Sequence, residues 1–183
     1  MKYLKYTLLV LLIAVVAYFS YAILFPSSPL DKVVYKSENS TSTYEVEYSR
    51  PYKKGRPIFG DENEGALVPY GKYWRTGANA ATTFSTSEDI VFGGKKLKAG
   101  KYSLYAIPGK EIWTVVLNSE ERWFFEAAGE PDKAYEELEV SISSIENTEI
   151  VEQFTIDFST DSSFLNTYMN LKWDKTLVSI SLK

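Results

Sequence analysis

Apolar and polar residues alternate with a period of two along most of this chain, and tight turns separate the alternating runs. Tyr44, Val46 and Tyr48 interleave with Glu45 and Glu47, which gives a strand one buried face and one wet face. Residues 90–92, then Gly93 and Gly94, then 95–97 read as a hairpin closed by a primed turn, because both glycines tolerate positive φ. Lys98, Ala99 and Gly100 turn into a strand over 102–107, and Pro108-Gly109-Lys110-Glu111 leads into another over 112–117. Further strands are expected over 138–145 and 150–158, with a closing pair over 168–173 and 177–182 around Asp174 and Lys175. Eight or nine short strands with such turns define an all-β fold, an antiparallel β-sandwich or jelly-roll rather than a parallel α/β sheet. Only 126–138, with Ala127, Ala128, Ala134 and a Pro131-Asp132 start, suits a helical turn or two.

The N-terminus follows a different pattern. From Tyr6 to Phe25 there is no charge, and Leu8 to Ile13, Val15, Val16, Ile23 and Leu24 supply apolar surface. Twenty such residues make a helix about 30 Å long, the thickness of a bilayer's hydrocarbon core. Tyr3, Tyr6, Tyr18 and Tyr21 lie towards its ends, Pro26 closes it, and Lys2 and Lys5 precede it, an arrangement that keeps the N-terminus cytoplasmic and translocates the rest. Ser20 and Ala22 offer a small-x-small cleavage site, so a signal peptide is the competing reading. The apolar run continues past that site, which favours a retained transmembrane helix. A lipoprotein is excluded, since no cysteine exists to acylate. The expected organisation is an anchor over 1–25, a Ser/Thr/Asn/Lys-rich linker over 26–43, and a β domain over 44–183. The domain would stand on the periplasmic or outer side of the inner membrane as part of a single-pass protein.

Composition narrows the chemistry. With neither histidine nor cysteine, Ser-His-Asp and Cys-His catalysis, Cys/His zinc sites and disulfides are unavailable, and neither cofactor nor metal is expected. Setting aside Lys2 and Lys5, 18 basic residues face 24 acidic ones, a balance that argues against a nucleic-acid partner. The charge is unevenly spread: residues 50–101 carry 10 Lys+Arg against 5 Asp+Glu, and residues 102–183 carry 6 against 15. Of only four arginines, Arg50, Arg56 and Arg75 fall in the basic portion. A chain that uses lysine for solubility and places arginine locally is suited to holding an anion or carboxylate there.

Alternation lapses between residues 49 and 79, and aperiodic loops on a rigid sheet are where binding groups are commonly carried. Ser49-Arg50-Pro51, Gly55-Arg56, Ile58-Phe59-Gly60, Leu67-Val68-Pro69-Tyr70-Gly71 and Trp74-Arg75-Thr76-Gly77-Ala78-Asn79 follow in order. These blocks, continued by Ala81-Thr82, Ala99-Gly100, Tyr102-Ser103-Leu104, Ile107-Pro108-Gly109 and Trp113-Thr114-Val115, resemble a bacterial family known as the domain of unknown function 2911 family. The resemblance covers about residues 44–183. It implies an exported β-rich domain, often behind a signal sequence or anchor, and supplies no catalytic residues. Asp61-Glu62-Asn63-Glu64 is an acidic insert relative to similar proteins and is expected on a surface loop.

The functional expectation is a small-ligand or glycan binding module built from Arg50, Arg56, Tyr70, Trp74, Arg75, Thr76 and Asn79, its partner an anionic small molecule or glycan. Set against it is an architectural corner in which Arg75 and Asn79 satisfy loop carbonyls and Trp74 fills the core. An envelope scaffold or protein-interaction domain is the alternative, and its mark would be a continuous exposed apolar patch. A histidine-independent hydrolase would need a carboxylate pair, a tyrosine, or a dyad such as Ser49 with Lys53 or Lys54.

Overall fold

The computed structural model describes residues 2–24, 28–37, 40–120, 129–163 and 166–183. Among the described residues one α-helix, α1 (Lys2–Leu24), precedes eleven strands. The described side chains of α1 are those of residues 6–20, and all are exposed. Among the described residues no helix is long and apolar enough to cross a membrane, so the fold does not itself support the expected transmembrane anchor.

Nine strands form one sheet in the order β1-β2-β5-β8-β9-β10-β11-β6-β7. They are β1 (Leu30–Lys36), β2 (Thr43–Ser49), β5 (Thr82–Thr86), β6 (Ile90–Phe92), β7 (Lys95–Leu97), β8 (Gly100–Ile107), β9 (Ile112–Asn118), β10 (Glu136–Thr160) and β11 (Thr167–Leu182). Every pairing within this sheet is antiparallel. The short β3 (Phe59–Gly60) and β4 (Val68–Pro69) form a separate parallel pair. The antiparallel all-β architecture is therefore as alternation predicts.

Two differences matter. Residues 30–36, expected within a linker, form β1 and pair in full register with β2, from Leu30 opposite Ser49 to Lys36 opposite Thr43. Val33 and Tyr35 supply the apolar face, and Tyr35 stacks against Phe158 at 5.3 Å. The second difference is that the layers arise from one sheet. β10 pairs with β9 over 136–143 and with β11 from Ser144 onward, so the segments expected as 138–145 and 150–158 are one long strand that changes partner. Asp174, expected in a hairpin turn, is instead a left-handed residue inside β11, φ +52°. Register shifts cluster there, between Glu146 and Val151 and again before Thr155, and such bulges bend a strand and sharpen its twist.

The bend lays the second half of β10 across β2. Tyr48 Oη donates to the Ile156 carbonyl at 3.3 Å and accepts from the Ile156 amide at 2.8 Å. Tyr48 and Phe154 meet edge to face at 5.5 Å, and Phe84 of β5 meets Phe92 of β6 at 5.3 Å. Between the layers Val46, Phe84, Val115, Met169 and Ile180 are wholly buried. At one end of this core lies an aromatic cluster: Trp74 stacks on Trp173 at 6.0 Å, and Phe59 meets Trp113 at 4.8 Å. Such pairs add about 0.5–1.5 kcal/mol each beyond their buried area.

The hairpin of β6 and β7 turns through Gly93 and Gly94 at φ +55° and +91°, the primed turn that the paired glycines imply. Of the stretch expected to hold a helical turn, Lys133–Tyr135 forms one 3-10 turn, with Asp132 capping the Ala134 amide at 2.9 Å. Residues 121–128 lie outside the described residues. Residues 61–65 are exposed and include a single 3-10 turn, Glu62–Glu64, in keeping with the surface loop expected there.

Candidate functional site

The aperiodic segment is held on the sheet at two places. After β2, Tyr52 bridges to Gln153 of β10, the Lys53 amide donates to the Glu152 carbonyl at 2.7 Å, and the Phe154 amide donates to the Pro51 carbonyl at 2.9 Å. Farther on, Trp74 exchanges backbone hydrogen bonds with Ala106 of β8 at 2.8 and 2.9 Å. Between these attachments the two loops face each other across a cleft of about 500 Å³.

Lys54, Arg56, Arg75 and Asn79 line this cleft with Tyr52, Leu67, Trp74 and Trp173, and none of the described lining residues is acidic. Lys54 and Arg56 have no carboxylate partner among the described residues. The Arg56 guanidinium is aimed by two main-chain carbonyls, donating from Nε to Lys53 at 2.9 Å and from NH2 to Tyr52 at 2.6 Å. Arg75 NH1 donates to the Asn79 carbonyl at 2.6 Å, and Asn79 Nδ2 donates to the Ser28 carbonyl at 3.3 Å. With Trp74 buried in the core and its indole N–H donating to the Gly77 carbonyl at 3.2 Å, these bonds realise the corner reading, while Arg75 and Asn79 also remain among the residues that line the cleft.

Backbone strain gathers at the same place. Among the described residues the non-glycine positions with positive φ are Lys54 (+50°), Thr76 (+54°), Asn79 (+59°) and Asp174 (+52°). Two lie on the cleft, Thr76 is flanked by cleft residues, and Asp174 follows Trp173. Lys54 and Thr76 each cost roughly 1–2 kcal/mol against the extended or right-handed region, Asn79 and Asp174 less because asparagine and aspartate tolerate it, and strain of this kind collects at ligand-binding segments. Gly77 is required sterically: at its φ of +152° a Cβ would stand 2.9 Å from the Ser49 carbonyl oxygen.

Four of the seven expected site residues, Arg56, Trp74, Arg75 and Asn79, are brought together and three are not. Arg50 is used within the fold, donating to the Phe154 carbonyl at 3.1 Å, Thr155 Oγ1 at 2.9 Å and Asp31 Oδ2 at 3.2 Å. Thr76 is fully buried and accepts, through its carbonyl, the hydroxyl of Thr82 at 2.6 Å. Tyr70 is turned towards the acidic insert; burial raises its pKa, and the charges of Asp61 and Glu64 add to the rise. The Ser49–Lys53 dyad is not assembled, since Ser49 is buried and the Lys53 ammonium is paired with Asp174 at 2.5 Å.

Trp173 was not an expected site residue. Its alternation within β11 marks it only as a core side chain, and it is 1% exposed. Its indole N–H is nevertheless the buried side-chain polar group without a hydrogen-bond partner among the described residues. A buried donor left so costs about 1–3 kcal/mol.

Other concavities suit an anion less well. One of about 400 Å³ beside the β6–β7 hairpin is also basic, with Lys96, Lys98 and Lys183 in its lining, but it has neither an arginine nor an aromatic wall, and its Lys98 is paired with Asp89 at 2.6 Å. Another, of about 210 Å³ beside β8, sets Lys101 against Glu120.

A folded-over antiparallel β domain with a basic, tryptophan-walled cleft is the class of protein that these features define. The family model for a protein of unknown function, DUF2911, matches residues 28–182, and the chain belongs to that family. The match begins upstream of the expected boundary at residue 44 and takes in β1. No curated protein and no solved structure matches the chain.

Proposed function

We propose that this protein is a membrane-anchored, extracytoplasmic binding module whose cleft holds a small anionic molecule or an acidic glycan. The observation that carries the reading is the convergence of Lys54 and Arg56 from one loop and Arg75 from another on a concavity with Trp74 and Trp173 in its wall and no acidic residue among the described lining residues. Guanidinium groups bind carboxylate or phosphate oxygens through paired charge-assisted bonds. Trp74 and Trp173 are buried and stacked on each other, so the apolar contact for a sugar ring or an apolar body comes from the exposed Tyr52 and Leu67 of the same lining. The anchor is supported by the uncharged run to Phe25, which continues in sequence beyond the described helix side chains, and by the exposure of apolar residues around α1, such as Leu8, Leu11, Leu12 and Val15. A helix apolar on all sides needs lipid or protein around it.

Thermal unfolding of the full chain in detergent, with glucuronate, citrate and phosphate compared with neutral glucose at matched ionic strength, tests the cleft. A ligand at a hundredfold excess over its Kd raises Tm by about 5–10 °C in a protein of this size. The shift is expected for an anion and to be lost in the Lys54→Gln, Arg56→Gln double variant. Equal shifts in wild type and variant, or shifts with glucose alone, contradict anion binding at this site.

A further inference from the structure

We propose that the anion received by the cleft is the phosphate-bearing headgroup of a membrane lipid in the leaflet from which the domain emerges. The inference rests on the binding and anchoring just proposed, and adds the source of the ligand. Ser28 lines the cleft, and α1 ends at Leu24. Four Cα–Cα steps separate the two residues, a reach of at most about 15 Å. The cleft wall therefore lies close to the end of the helix, on the scale of the interfacial zone that flanks the hydrocarbon core.

This wall is fixed to the domain. Asn79 Nδ2 donates to the Ser28 carbonyl at 3.3 Å, and the Arg50 amide donates to the Pro29 carbonyl at 2.8 Å, just before β1 begins its pairing with β2. The chain thus enters the domain at the cleft rather than swinging away from it.

Charge and exposed apolar groups point the same way. The molecule as a whole carries a net charge of −4, so it is repelled on average by anionic lipid, yet the cleft gathers Lys54, Arg56 and Arg75. Tyr52 and Leu67, which also line it, remain 37% and 43% exposed. A soluble anion needs no such apolar lip; a headgroup attached to glycerol and acyl chains can use one, and tyrosine is favoured at bilayer interfaces.

The test uses the full chain in nanodiscs of phosphatidylcholine alone or of phosphatidylcholine mixed with phosphatidylglycerol, with lipids retained after gas-phase release counted by native mass spectrometry. Soluble glycerol phosphate is titrated in parallel. Selective retention of phosphatidylglycerol is expected, reduced at least tenfold by Lys54→Gln with Arg56→Gln. Leu67→Asn, at an exposed position on the cleft's lip, is expected to reduce lipid retention by a larger factor than it reduces glycerol phosphate binding, and equal reductions contradict a role for the lip in holding lipid. Retention that ignores lipid charge or survives the double substitution overturns the lipid assignment. If glycerol phosphate binds the cleft and phosphatidylglycerol is not retained, the lipid assignment fails and anion binding stands; if neither binds, both fail.

Discussion

Lys54 shows how stability and binding compete at a single residue. Its φ of +50° is costly for lysine and easy for glycine, its side chain is exposed, and a Lys54→Gly chain keeps the backbone bond from its amide to Glu152 Oε1 at 2.8 Å. The relief of strain exceeds the entropy that glycine adds to the unfolded state, so this substitution should stabilise the fold by about 0.5–1 kcal/mol in urea unfolding while weakening anion binding. Arg50 should behave in the opposite way. Arg50→Ala removes three bonds that tie the end of β2 to β10 and β1, and should cost about 1–3 kcal/mol, the partly exposed Asp31 pair contributing little. Its effect on anion affinity should be small, since Arg50 does not line the cleft. Sequence could show that arginine, tryptophan and asparagine cluster in an aperiodic stretch; it could not show which guanidinium the fold consumes. That depends on β10, about a hundred residues away along the chain, passing beside Arg50. Trp173 was illegible for the same reason, because its alternation is that of an ordinary core residue and only the arrival of the 49–79 loops makes it a cleft wall.

Hairpins were legible at the level of elements because their turns are local. Gly93 and Gly94 announce a primed turn, and their surroundings separate them: a Cβ at Gly93 would lie 3.0–3.2 Å from Val140, whereas one at Gly94 meets nothing within 4 Å. Gly93→Asn should therefore cost about 1–3 kcal/mol through overpacking, and more than Gly94→Asn, which keeps a residue tolerant of positive φ in open space. Equal losses in chemical unfolding would contradict this placement of the turn against β10. Elements that depend on remote partners were less legible. β1 lies in a stretch rich in lysine, serine and asparagine, and its order comes from seven paired positions on β2 and from Tyr35 against Phe158. The junctions within β10 and β11 looked like turns because Asp174-Lys175 and Glu146-Asn147 are polar. In the structure this polarity sits on bulged, partly exposed strand, and Asp174 is held by Lys53.

For the whole molecule, the tyrosines set the alkaline limit of stability. Burial raises the pKa of Tyr44, Tyr48, Tyr102 and Tyr105 above the ordinary value of 10.0, and for Tyr105 the hydrogen bond to Glu136 at 2.5 Å raises it further. The folded protein consequently binds more protons than the unfolded chain above about pH 10, so stability is fully present below that pH and falls as pH rises through the folded-state values. Urea midpoints measured from pH 8 upward should stay level to about pH 10 and then decline; a level profile beyond it would contradict the burial of these phenols. The same molecule is acidic overall and basic at one cleft, and the cleft lies where the chain enters the domain. Anion binding there is tested most directly by the indole and backbone N–H resonances of the ¹⁵N-labelled full chain in micelles, titrated with glycerol phosphate. The Trp173 indole and the amides of Lys54, Arg75 and Asn79 should move together along one saturable curve while those of the β6–β7 hairpin stay in place. A saturable response elsewhere that leaves the Trp173 indole unmoved, or no response at all, would contradict it.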